Sequence, residues 1–312
     1  MAGDAFSQRT LRRPVGFSGV GLHSGTLTNV TLVPAPENHG VVFVRKAGER
    51  SVRIPARSAF VVDTSLATTL GHDGVRVGTV EHLLAALAGL GLDNVRIDID
   101  GPEVPILDGS SAPIVERILE AGFRELSAPK RFVVVKKTVS VTDGDKSASL
   151  APSKRLRIDC TIDFKHPLIA DQHYSIEFSD RTFVQELARA RTFGFLKDVE
   201  RLRQAGLAKG GSLDNAIVVD EFSILNPEGL RFPDEFVRHK LLDTVGDLSL
   251  LGMPMLAHMS SVKSGHALNH ALVRKVLSEP SAFEVVSARS SDVERLELEQ
   301  EDLAGVLAPA GG

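Results

Sequence analysis

The sequence predicts an α+β protein built from a duplicated unit, and three observations carry that expectation. Short runs of alternating apolar and polar residues, which suit half-buried strands, are interleaved with runs of helical period. The order of these runs restarts after Ser127-Ala128-Pro129, so each half reads as hairpin, strands and helix. Each half also contributes one apolar helix with a histidine in it.

The first half opens with a strand over Thr10 to Phe17, a turn through Ser18 to Gly25, and a second strand over Leu27 to Val33. The glycines of that turn do not form a dinucleotide fingerprint. Gly25 falls one residue late for G-x-G-x-x-G after Gly19 and Gly21, and a strand follows where the fingerprint needs a helix. Gly40 to Arg45 is the next strand. A helix then starts at Thr79, a good N-cap, with Glu81 in its first turn. It carries Val80, Leu83, Leu84, Leu87 and Leu90 and stops near Gly91. Asn94 to Ile99 follows as a strand and Pro113 to Ala121 as a helix.

In the second half, Arg131 to Val141 and Ala148 to Leu150 flank the turn Asp143-Gly144-Asp145. Strands follow at Leu156 to Phe164 and Tyr174 to Phe178. A long helical region is expected from Thr182, a strand at Ala216 to Val219, and a helix opened by Phe232-Pro233-Asp234. The expected domains are 1–127 and 128–290, followed by a disordered tail over 291–312.

Composition narrows the function classes. A length of 312 residues suits two domains, and a net charge of -4 leaves no electrostatic footprint for nucleic acid. With no Trp and one Tyr there is little to stack on bases. Cys160, the single cysteine, lies in a strand-like run and excludes an intrachain disulfide. The first ten residues lack the apolar core of a signal peptide, and the longest apolar stretch, Leu83 to Leu92, is about half a membrane span. A soluble, monomeric protein of the cytoplasm is expected.

The chemistry concentrates in three places. In Arg238 to Asp247, the residues His239, Asp243 and Asp247 recur every four positions and share one helix face. Val237, Leu241, Val245 and Leu248 are expected on the opposite, buried face. Imidazole and carboxylate one turn apart suit zinc, although the same spacing also serves a solvated face with an ordinary helix pairing. Glu81-His82 is the second place. His82 is either a satisfied core histidine or the third ligand that leaves zinc an open position for water. Neighbouring helical residues diverge by about 100°, so Glu81 cannot easily share the metal but can stand beside its water as general base. The third place is Lys263-Ser264-Gly265-His266, ahead of a helix starting at Ala267. His266 there is either a loop histidine at a helix start or an imidazolium that stabilises an oxyanion and protonates a leaving amine. A helix N-terminus disfavours that charge, and Asp247 could offset it. No H-E-x-x-H occurs, and an H-x-x-E-H ending at His82 would need histidine where Gly78 stands.

In combination these segments resemble the UDP-3-O-acyl-N-acetylglucosamine deacetylase family. Its motifs are matched by Gly19 to Gly25, Thr79 to Leu83, Pro105 to Ser110, Asp163 to Pro167, Arg189 to Phe195, Phe236 to Asp243 and Lys263 to Leu268, in family order across residues 8 to 280. The resemblance implies two similar two-layer α/β sandwich domains packed face to face with the active site between them. It implies zinc (Zn2+) held by His82, His239 and Asp243, with Glu81 as base, His266 as acid, Asp247 beside it, and Thr192 on the oxyanion. It assigns Phe193, Lys240, Lys263, Phe164 and Gly211 to the UDP-sugar substrate. Leu196 and Val199 fall in a segment that the family uses as a passage for the acyl chain; helical spacing alone would equally suit a core helix. The implied reaction is removal of acetate from the sugar nitrogen, the committed step of lipid A biosynthesis. Two other functions stay open: a zinc hydrolase of a different acylated amine, and a nucleotide-sugar binder with a structural metal. Against the binder, structural zinc takes four protein ligands, and only three are found here.

Overall fold

A computed structural model of the chain describes residues 7–288. The expected tail, 291–312, lies outside the described residues. The chain runs β1 (Ser7–Leu11), β2 (Val15–Val20), β3 (Leu27–Pro34), β4 (Val41–Ala47), β5 (Arg50–Pro55), β6 (Val61–Asp63), β7 (Thr69–His72), β8 (Val75–Val77), α1 (Glu81–Gly89), β9 (Val95–Ile99), α2 (Ala112–Ala121) and β10 (Phe123–Pro129). It continues through β11 (Arg131–Val135), β12 (Val139–Asp143), β13 (Lys146–Ala151), β14 (Arg157–Asp163), β15 (Asp171–Glu177), α3 (Asp180–Thr182), β16 (Phe193–Phe195), α4 (Leu196–Gln204), β17 (Ile217–Val219), α5 (Glu235–Leu248), β18 (Met255–Leu256), β19 (His258–Val262), α6 (His266–Leu277) and β20 (Phe283–Ser287).

The duplication is visible in the topology. One five-stranded sheet has the order β2-β3-β9-β4-β5 and the other β12-β13-β19-β14-β15. In each, a late strand slots between two hairpins. β9 runs antiparallel to β3 and parallel to β4, and β19 runs antiparallel to β13 and parallel to β14. In each, a helix precedes the slotting strand (α1, α5) and another follows it (α2, α6). The α+β sandwich class follows from these layers. The expected division at 127/128 falls inside β10, which pairs with β1.

Strand alternation builds the core. Thr28, Val30 and Leu32 of β3 are buried while Leu27, Asn29 and Thr31 are exposed; in β14, Ile158, Cys160 and Ile162 point inward. Between the sheets, α1 packs along α5, which also touches β14, β15 and α6. Their approach is close enough that a Cβ on Gly246 would collide with the carbonyl of Glu81. Glycine here lets the backbones of the two helices meet. Among the described residues no helix is long and apolar enough to cross a membrane.

Four expectations need correction. Thr79 does not cap α1. It sits at φ 53 with its hydroxyl donated to Glu103 Oε1 at 2.7 Å, and the helix starts at Glu81 without a side-chain cap. Helix α5 has no solvated face, because it lies between a sheet and another helix. His239, Asp243 and Asp247 are as buried as Val237 and Leu241. The long helical region from Thr182 does not form. Ser179 and Thr182 close a capping box on α3, and a single π-helical turn over Phe183–Leu187 follows. The backbone N–H of Arg191 then donates to Glu235 Oε1, and the chain straightens into β16, parallel to β17. Finally, α6 begins at His266, one residue before the expected start.

Candidate active site

Helix α5 presents His239 and Asp243 from successive turns, and the first turn of α1 presents His82 across the helix crossing. Asp243 Oδ1 lies 3.3 Å from His239 Nε2 and 3.5 Å from His82 Nε2. The three ligand atoms all fall within 4.8 Å of one another. Ligands about 2.0–2.2 Å from one tetrahedral ion stand roughly 3.4 Å apart, so the spacing suits zinc.

Two details show that the donors are available. The buried Asp243 Oδ1 has no hydrogen-bond partner, an arrangement that costs free energy unless a cation faces it. His239 donates its Nδ1–H to the carbonyl of Ala190 at 3.1 Å, which leaves a lone pair on Nε2. Burial pushes the His239 pKa down to about 4 despite Asp243 nearby, so the imidazole is neutral at physiological pH. Burial would raise the carboxyl pKa of Asp243, but the charge His239 carries when protonated and the Lys240 ammonium outweigh it and put the group well below the ordinary carboxylate range. Lys240 Nζ donates to Asp243 Oδ2 at 2.9 Å.

Beside this triad sits an acid–base pair. Glu81 is buried, and burial raises its pKa. Its Oε2 accepts the backbone N–H of Thr68 at 3.0 Å, and its Oε1 stands 3.9 Å from His266 Nε2. The far nitrogen of His266, Nδ1, faces Asp247 Oδ2 at 2.9 Å. Burial works against the imidazolium, yet Asp247 and then Glu81 outweigh it and push the His266 pKa up to about 9. The imidazolium is therefore the ground state, and its Nε2–H points toward Glu81 and the metal-ligand side.

Asp247 is itself held. It accepts from Thr68 Oγ1 at 2.6 Å and from Asn269 Nδ2 at 2.9 Å. Thr68 thus bridges the two carboxylates, its N–H on Glu81 and its hydroxyl on Asp247. Sequence reasoning missed Thr68 and Asn269, because only the fold brings them to residues so distant in the chain. It also gave no role to His23, which lines the cavity and whose Nδ1 is buried without a partner.

The cavity over the triad, about 140 Å³, is lined by Glu81, His82, Thr192, Phe193, His239, Lys240, Asp243 and His266, together with Leu22, His23, Leu66, Ala67, Thr79 and Ile106. Thr192 is fixed there by backbone bonds to Gly109 and Ile217. The Phe193 ring meets Phe164 and Phe236 edge-on, with centroids 5.6 and 5.0 Å away. Phe164 reaches the cavity only through Phe193. Gly211 lies on the loop beside Leu22. Lys263 stands outside the lining, its Nζ bound to Asp145 at 2.8 Å and Asp163 at 2.7 Å. Helix α4 buries no residue, and Leu196 is 45% exposed; the alternative of a core helix is therefore excluded for this segment.

Comparison with known proteins agrees with this geometry. Residues 8–278 match the family model described as UDP-3-O-acyl N-acetylglycosamine deacetylase. A UDP-3-O-acyl-N-acetylglucosamine deacetylase from Myxococcus xanthus is 61% identical over 307 residues, 98% of either chain. Proteins of the same name from an Anaeromyxobacter species and from Idiomarina loihiensis are 57% and 53% identical, across 91% and 90% of this chain and 93% and 92% of theirs. A match over nearly the whole chain, with the site residues converging as described, identifies it as a member of the UDP-3-O-acyl-N-acetylglucosamine deacetylase family.

Proposed function

We propose that the protein is a zinc-dependent amide hydrolase that removes the N-acetyl group of UDP-3-O-acyl-N-acetylglucosamine, releasing acetate and the free amine that lipid A synthesis goes on to acylate. One observation carries the proposal: an unpartnered, buried carboxylate oxygen on Asp243 faces two imidazole nitrogens, with a carboxylate–imidazolium pair alongside. The family membership supplies the substrate.

His82, His239 and Asp243 would hold the zinc. When bound, it lowers the pKa of water toward about 7 and polarises the amide carbonyl. Glu81, raised in pKa by burial, accepts the proton of the attacking water at a carboxylate oxygen. The hydroxyl of Thr192 and the Nε2–H of His266 face the developing oxyanion. Asp247 orients His266 through Nδ1, so Nε2 keeps its proton for the leaving nitrogen. Glu81 offers a second route by returning the proton it took. Phe193, Phe164 and Gly211 border the sugar and nucleotide, Lys240 supplies positive charge to the diphosphate, and Leu196 and Val199 line the acyl passage. Lys263 joins them by leaving Asp145 and Asp163. The same proposal carries a monomeric enzyme acting in the cytoplasm.

The test is release of free amine from the UDP-linked substrate by purified protein, with and without chelator. Zinc-restored activity is expected. Amine release that is indifferent to chelation would contradict the metal assignment, and none on this substrate would contradict the substrate.

A further inference from the structure

Helices α1 and α5 also wall a second cavity, of about 240 Å³, which shares no lining residue with the catalytic one. The larger part of its lining is apolar. Leu84 and Leu87 come from α1, Val245 and Leu248 from α5, Ile158 from β14, and Phe178 closes it; all six are buried. Three cations and one carboxylate line it as well, Arg57, Lys130, Arg131 and Asp93. Arg57 comes from the turn after β5 and Arg131 opens β11, so each repeat contributes one.

The state of these two arginines is unusual. Lys130 and Arg9 nearby are both paired, Lys130 with Asp93 at 2.8 Å and Arg9 with Asp180 at 3.4 Å. Among the described residues neither Arg57 nor Arg131 is paired with a carboxylate. Arg57 is half-buried and holds its place by donating Nη1–H to the carbonyl of Leu251 at 3.0 Å, across Gly252, where any Cβ would collide with the guanidinium. Burial, and then the field of Arg131, lower the Arg57 pKa. Two like charges at the mouth of a low-dielectric cavity repel each other and are stabilised by an anion between them. Guanidinium forks match the two oxygens of a carboxylate. An apolar chamber with a cationic clamp at its entrance suits an amphiphile with a small anionic head.

We infer that this cavity is a binding site for a medium-chain fatty carboxylate, its head clamped by Arg57 and Arg131 and its chain lying between α1 and α5. Its volume is about eight times the ~30 Å³ that a water molecule occupies in the liquid. That is below the ~300 Å³ at which sites for drug-sized ligands begin, which favours a short, slender chain.

The probe is octanoate, titrated calorimetrically into the full-length protein. Removing a charge-assisted partner weakens binding about tenfold or more, so Arg131→Gln, at an exposed position, should do so without affecting the fold. Leu87→Phe, which fills the chamber, should abolish binding. Each methylene from butanoate to octanoate should tighten binding about fourfold, and octan-1-ol, lacking the charge, should bind at least tenfold more weakly than octanoate. Phe222→Ala, at an exposed position that lines neither cavity, should bind octanoate like the wild type. Octanoate affinity unchanged by Arg131→Gln, or octanol binding as tightly as octanoate, would overturn the clamp.

Discussion

Helices α5 and α4 belong to the same half of the chain, yet they are built in opposite ways. In α5 the proposed ligands and the orienting carboxylate are buried and bonded: His239 to Ala190, Asp243 to Lys240, and Asp247 to Thr68, Asn269 and His266. In α4 no residue is buried. The first arrangement suits a group that must not move during catalysis, such as a ligand or an orienting carboxylate. The second suits a surface that acquires its partner, on the proposed function an acyl chain, only when substrate arrives. Substitutions in the two helices should therefore separate cleanly into loss of chemistry and loss of chain preference.

The largest expected effect is at Glu81. Glu81→Ala should lower turnover by about 10²- to 10⁴-fold while zinc is retained, because the base goes and the ligands stay. Wild-type turnover in that variant would break the division of labour between Glu81 and His82.

The next effect is a pH dependence centred on His266. Its pKa in the folded protein, about 9, lies above the 6.5 of an unperturbed histidine, so the folded state binds the proton more tightly. The stabilisation, on the order of 3 kcal/mol, is complete below pH 6.5 and disappears as pH rises through 9. In metal-free protein, the melting temperatures of wild type and His266→Ala should be far apart at pH 6 and converge above pH 9. Turnover of the zinc enzyme should fall on the alkaline side as the same proton is lost. A stability difference that is flat from pH 6 to 10 would show that His266 is not held as an imidazolium.

A smaller effect sharpens the contrast from the packing side. Gly246→Ala forces α5 away from the carbonyl of Glu81, and overpacking of this kind costs about 1–3 kcal/mol. Denaturant unfolding should show that loss, with turnover reduced as well because Glu81 shifts. The smallest stability change is expected on α4. A Trp at Leu196 or Val199 should alter stability by no more than about 0.5 kcal/mol, yet it should penalise long acyl chains more than short ones. Equal losses for all chain lengths would remove α4 from the passage.

Much of this contrast was legible in the sequence, for identifiable reasons. A four-residue recurrence of His239, Asp243 and Asp247 is a one-helix property and needs no tertiary information. The two strand alternations, around Val30 and Cys160, likewise announce their own buried faces. The helix expected from Thr182 failed because its periodic apolar residues were outweighed by a contact no local pattern contains: Arg191, whose side chain and backbone both bond Glu235. The alternative of a solvated polar face on α5 stayed open for a related reason, since polar residues look solvated until a partner helix is known to cover them. Thr68 and Asn269 left no trace in the sequence, being ordinary residues made functional by the carboxylates they meet. Lys263 shows the converse. The resemblance assigns it to substrate, but salt bridges to Asp145 and Asp163, both remote in the chain, hold it outside the cavity.

Zinc content measured in parallel on wild type, Asp243→Ala and Glu81→Ala tests the central assignment most directly. About one zinc per chain is expected in wild type and in Glu81→Ala, and far less in Asp243→Ala, with amine release lost in both variants. Full zinc occupancy in Asp243→Ala would mean that the orphaned oxygen faces no metal, and the site built on it would be wrong.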